Sequence, residues 1–233
     1  ASIYSASDLA RAEFPDLDVT IRGAISIGRR LMDPLAELIK IDPKSIGVGQ
    51  YQHDVNQKLL REHLDDVVLF CVNAVGVNLN TASSYLLSYV SGLSAALSEQ
   101  IVQYRMQHGA FESREALKRV PRLGPKAFEQ CAGFLRIRNG KQILDNTGIH
   151  PERYELIEKI SQDLGLSKEE LIRSKNLNKQ IKLDQYISDD VGVETLTDIF
   201  KELEKPGLEP RGGFSVFAFD KSIKKIEDLN EGM

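Results

Sequence analysis

A short unit in the middle of this chain is written twice, thirty positions apart, and that duplication limits the possible fold more than any other feature. Ser83, Leu87, Val90, Leu93, Glu99 and Gln100 are matched by Ser113, Leu117, Val120, Leu123, Glu129 and Gln130. Where identity is lost, apolar character is kept, at Leu86/Ala116, Leu97/Ala127, Ile101/Cys131, Val102/Ala132 and Tyr104/Phe134. A repeat with helical spacing is one supersecondary unit used twice. Each copy reads as helix, tight turn, helix. The turns fall at Val90-Ser91-Gly92-Leu93-Ser94 and at Val120-Pro121-Arg122-Leu123-Gly124-Pro125-Lys126.

These turns resemble the helix-hairpin-helix motif, in which the hairpin runs hydrophobic-x-Gly-hydrophobic-Gly. Glycine permits φ > 0 and close backbone approach. The helix that follows points unpaired N–H groups and partial positive charge at whatever lies ahead of it, which suits a phosphate and reads no base. The residues expected at a nucleic-acid backbone are therefore Ser91, Gly92, Leu93 and Ser94 in the first hairpin. In the second they are Arg122, Leu123, Gly124, Pro125 and Lys126, with Arg114, Lys118 and Arg119 as electrostatic support. Neither glycine pattern is complete: Ser94 stands at the second position of copy one, Arg122 at the first position of copy two. Residues 83–104 carry a net charge of −1 and residues 113–134 a net +3, so the second hairpin is expected to hold phosphate more strongly. Hairpins that merely turn the chain inside a helical core are the competing reading.

The overall net charge of −4 excludes a generally basic coat. Distribution matters more. Residues 103–141 hold nine basic side chains against three acids, net +6, whereas residues 1–102 and 142–233 carry −4 and −6. A basic island between acidic flanks fits a local phosphate-binding face. With 233 residues the chain can bury a proper core as one large domain or two smaller ones. Cys71 and Cys131, in apolar helical patterns, read as small buried side chains rather than a disulfide. No apolar run is long enough for a bilayer and no signal peptide is visible, so a reducing cytoplasm is expected. Opening on Ala1, the chain reads as a piece of something longer.

In order, Ala1 to Ser5 is β-compatible, and Ser7 is placed to cap a helix over Asp8–Glu13. Helical periodicity from Thr20 is broken at Pro34, with Asp33 capping a new start. Arg22, Arg29 and Arg30 are expected on a solvated face, with a second phosphate contact as the alternative. After an extended connector over residues 42–51, a helix is expected from about Asn56 to Val75 with Leu59, Leu60, Leu64, Val67, Val68, Cys71 and Val72 inward. His53-Asp54 and His63 with Asp65-Asp66 lack the spacing of metal ligands. Beyond the repeat, Arg136 to Lys141 is a basic strand or turn, Tyr154 opens a helix, and Ser167 to Glu170 has capping-box form. Thr195 to Leu203 reads as helix, and Phe214, Val216, Phe217 and Phe219 as a strand. The fold expected is all-α, mainly helical: a tandem hairpin domain with helical flanks and a short β element near each end. Its segments are 1–76, 77–142 and 143–233.

Five stretches resemble the Tex family of bacterial transcription accessory proteins. They are 33–38 (Asp-Pro-Leu-Ala-Glu-Leu), 46–55 (Ile-Gly-Val-Gly-Gln-Tyr-Gln-His-Asp-Val), 71–77 (Cys-Val-Asn-Ala-Val-Gly-Val), 120–137 and 146–152 (Asn-Thr-Gly-Ile-His-Pro-Glu). The resemblance covers essentially the whole chain. It implies tandem helix-hairpin-helix units and nucleic-acid binding linked to transcription. It also implies an RNase H-like YqgF-type domain that residues 1–49 would exit, and an S1 RNA-binding domain beyond the last residues. Three function classes compete. The first is a sequence-independent nucleic-acid-binding module. The second is a helical scaffold for the transcription machinery. The third, an enzyme, is disfavoured: Asp65-Asp66 and Asp189-Asp190 would diverge on helices rather than share a metal ion, and Lys126 fits an electrostatic role better than a lyase role. No catalytic residue, metal site or cofactor is expected; DNA and RNA remain equally open.

Overall fold

Capping side chains set where the N-terminal helices begin. In the computed structural model, which describes residues 1–206 except 173, 175, 176, 178–180, 182–184 and 189, Ser7 Oγ accepts from the Ala10 amide and opens helix Asp8–Glu13. Asp18 accepts from the Thr20 and Ile21 amides at 2.7 and 3.0 Å and opens Val19–Met32. Asp33 then caps Pro34–Leu38, where Pro34 sits in the first turn and needs no N–H partner. Two expectations fail here. Ser2–Ser5 is a helical turn, because the Ser5 amide closes on the Ala1 carbonyl at 2.8 Å while Tyr4 packs with Ala10 and Ile41 in a small core. Arg22 is buried, its Nε donating to the Phe14 carbonyl at 3.0 Å. The β elements read near the two ends are thus replaced by helix at the first, while Phe214 to Phe219 lies outside the described residues.

Asn56 caps the long helix Gln57–Val75, and Gly76 ends it at φ 78°. Along that helix Val72 is fully buried, whereas Leu59, Val67, Leu69 and Phe70 are exposed. Cys71 is exposed as well, against expectation; Cys131 is buried, and burial pushes its thiol up to about 12.

Among the described residues, one two-stranded sheet brackets the repeat. Val77–Asn78 runs parallel to Leu135–Arg136, with Val77 opposite Leu135. Between them lies one apolar core, in which Leu79, Leu87, Ile101, Leu117, Cys131 and Leu135 are fully buried, each large aliphatic member stabilising by about 1.5–3 kcal/mol. Arg105 ties the entrance of the first copy, donating to the Leu79 and Ala82 carbonyls at 2.7 and 3.0 Å. Asn80 reaches across to the second copy and exchanges two hydrogen bonds with the Phe111 backbone, at 2.8 and 2.9 Å. A separate core gathers Leu144, Ile157, Ile160, Leu171, Leu196, Phe200 and Leu203 around helices Tyr154–Leu164, Lys168–Leu171 and Val193–Glu204. Ser167 and Glu170 form the expected capping box. Among the described residues no helix is long and apolar enough to cross a membrane.

Candidate nucleic-acid interface

The two hairpins share one backbone design. Leu93 N–H closes on the Val90 carbonyl at 3.0 Å and Leu123 N–H on the Val120 carbonyl at 3.2 Å, so each is a four-residue β-turn. The third residue of each has positive φ: 83° at Gly92, 68° at Arg122. Leu93 and Leu123 anchor the turns in the core at 7% exposure each. The next residue is the helix N-cap with matching backbone angles, −84° and 163° at Ser94, −75° and 169° at Gly124.

This geometry explains the incomplete glycine pattern. The second glycine position sits in the extended region that any residue adopts, so Ser94 serves there and caps the Leu97 amide at 3.3 Å. The first position demands the left-handed region. Copy one meets that demand with Gly92, which also lies against helix Pro125–Cys131 of copy two: a Cβ there would come within 2.5 Å of the Gln130 Cβ. Gly92→Ala combines backbone strain with that clash and is expected to cost about 2–4 kcal/mol, read as a lower midpoint in urea. Copy two places Arg122 in the same conformation, one that costs a non-glycine residue about 1–2 kcal/mol.

Both hairpins face solvent. Gly92, Ser94, Arg122, Gly124, Pro125 and Lys126 are exposed and Ser91 is half-buried. Arg119 is exposed too. Lys118 is exposed but engaged, its Nζ 2.7 Å from the Glu115 carboxylate and 4.6 Å from the centre of the Phe128 ring. Helix Ala95–His108 makes its first internal bond from Ser98 to Ser94, and Phe128 N–H does the same to Gly124; with Leu97 N–H taken by Ser94 Oγ and no N–H on Pro125, the Ala95, Ala96, Lys126 and Ala127 amides are those the two first turns leave without a helical acceptor.

Arg114 departs from the expected cationic cluster. Its side chain is fully buried, with Nε donating to the Leu135 carbonyl at 2.8 Å and Nη1 to the Ile149 carbonyl at 2.6 Å and the Tyr154 hydroxyl at 2.9 Å. Nη2 donates to the Thr147 carbonyl, and the Arg114 amide to Asp145 Oδ2 at 2.8 Å. Burial holds the guanidinium below its ordinary pKa, against the support of Tyr154 and Asp145. Arg114 therefore joins the second copy to the C-terminal core and has no access to a ligand. Arg136, beside it, is lowered to about 10, chiefly by burial and secondarily by the charge of Arg114.

A third turn escaped the sequence reading. Gly-Leu-Ser at 92–94 recurs at 165–167, with Gly165 at φ 64° and Ser167 capping the next helix. The repeated tripeptide was the available signal. Here the Ser167 amide is already taken by Glu170 Oε2 at 2.8 Å.

Paired turns of this form, set on one helical body and opening onto solvent, define a tandem helix-hairpin-helix protein. Comparison with family models agrees: residues 72–136 match a helix-hairpin-helix motif, residues 142–211 an HHH domain, and residues 1–32 the Tex protein YqgF-like domain. Over all 233 residues the chain is 58% identical to an uncharacterized protein of Neisseria meningitidis and 57% identical to the transcriptional accessory protein Tex of Neisseria gonorrhoeae, covering 31% of each. It is 53% identical to protein YhgF of Escherichia coli and covers 30% of it. The chain belongs to the Tex family, and spans about a third of the length of these relatives.

Proposed function

We propose that this segment is a sequence-independent nucleic-acid-binding module of a transcription accessory protein, a binder rather than an enzyme, which holds backbone phosphates through its two hairpins. The observation that carries this reading is Arg122: an exposed cation kept at φ 68° where the matching position of the other copy has glycine. A strained non-glycine residue at a solvent-facing turn points to a role for its side chain. Arg119 and Lys126 lie on the same exposed stretch, and the name of the gonococcal relative, transcriptional accessory protein, supports the link to transcription.

The test is a salt titration of affinity for DNA and RNA of random sequence. Three neutralised phosphates give a slope of log K against log salt of about −2.7 on duplex DNA. Affinity that ignores salt, or no binding, removes the proposal. Arg122→Gly adds a sharper arm. It relieves the left-handed strain, so stability is expected to hold or to rise by up to about 1 kcal/mol, while the slope loses about one contact.

A scaffold role is the second reading, favoured by the exposed Leu59, Val67, Leu69 and Phe70 of helix Gln57–Val75. It predicts partner binding that survives charge reversal at Arg122 and Lys126.

A further inference from the structure

The two hairpins make the same turn with different means of holding it still. In the second, the residue after Val120 is Pro121, whose ring fixes φ and which has no N–H to satisfy. The matching residue in the first is Ser91, whose N–H donates to Oδ1 of Asn73 at 3.1 Å. Asn73 belongs to the long helix Gln57–Val75, not to the repeat. Its Nδ2 donates to the Tyr89 carbonyl at 3.1 Å and to the Leu69 carbonyl of its own helix at 2.7 Å. The amide orientation is the one its surroundings dictate, two carbonyls facing the NH₂ and one N–H facing the oxygen. One side chain thus grips the backbone on both sides of Val90, where the turn begins.

We infer that Asn73 is the positioning residue of the first hairpin, doing by hydrogen bonds what Pro121 does covalently in the second. The inference rests on the phosphate-binding reading above. Asn73 itself touches no ligand. It holds the turn in the orientation at which the Gly92 and Ser94 amides, rather than those of Ser91 and Leu93 that are bonded within the protein, meet a phosphate, and so couples the hairpin to the helix that precedes the repeat.

Titrating the full 233-residue chain with a random-sequence duplex separates the possibilities. Asn73→Ala is expected to weaken binding roughly fivefold, the worth of one net hydrogen bond. The salt slope should stay unchanged, because the first hairpin carries no cation and releases no counterions. Adding Ser91→Pro to Asn73→Ala should restore most of the loss, since Val120-Pro121 shows that this turn accepts proline. Wild-type affinity in Asn73→Ala overturns the inference, and so does a double variant that stays as weak as the single one. A slope that falls with Asn73→Ala also overturns it, by placing Asn73 among the ionic contacts. Should Asn73→Ala not fold, the double variant is measured in its place, and binding more than about twofold weaker than wild type overturns the inference. A wild-type chain that binds no nucleic acid sinks the proposed function itself, a result distinct from all of these.

Discussion

Arg114→Ala will lower the stability of the chain by about 3–5 kcal/mol, the range for removing one partner from a buried, hydrogen-bonded charge network. The guanidinium is fully buried and satisfies the carbonyls of Leu135, Thr147 and Ile149 together with the Tyr154 hydroxyl. Its loss strands the Thr147 and Ile149 carbonyls, leaves the Leu135 carbonyl to Arg136 Nη1 at 3.2 Å, and leaves Asp145 facing Tyr154 without the nearby cation. For a chain of this size the thermal midpoint should fall by roughly 10 °C, measured by calorimetry. Arg114→Lys should recover little, because one ammonium cannot span the positions of a planar fork. Nucleic-acid affinity, measured well below the new midpoint, should stay within about twofold of wild type. A large affinity loss in a chain of unchanged stability would return Arg114 to the interface and contradict its buried setting.

The double reversal Arg122→Glu with Lys126→Glu should do the opposite. Both side chains are exposed, so stability should move by no more than about 0.5 kcal/mol per site. Affinity for duplex or single strand should fall by about a hundredfold or more at low salt, and the salt slope should lose about two contacts. The contrast rests on burial: Arg114 of the basic island is enclosed in the body, whereas Arg119 and Arg122 face solvent. Unaltered affinity in the double reversal would remove phosphate binding by the second hairpin and leave the scaffold reading in possession.

Much of this was legible beforehand. Ser7, Asp33 and Ser167 cap helices where their place before helical segments predicted, because a side-chain oxygen three residues ahead of an orphan amide is a local matter. The duplicated turns were legible for the same reason, but which glycine position tolerates substitution was not; the backbone angles at Gly92, Arg122, Ser94 and Gly124 decide it. Ser2–Ser5 was misread because a segment this short is decided by what Tyr4 packs against. Cys71 was misread because helix Gln57–Val75 leaves apolar residues in solvent that its periodicity pointed inward. The repeat gave no warning about Arg114, whose counterpart thirty positions earlier is Ser84.

Local chemistry along the chain thus determined by itself where the backbone turns, which residues cap, and that one helical unit is used twice with its cations concentrated in the second copy. Only the tertiary structure decided which of those cations meets solvent. A long charged side chain is buried when enough acceptors converge on it, and those of Arg114 come from residues 21 to 40 positions away. Asn73 follows the same rule, since the backbone it holds lies 16 and 18 positions along the chain, at Tyr89 and Ser91, and is brought to it by the packing of the first copy against the helix before it.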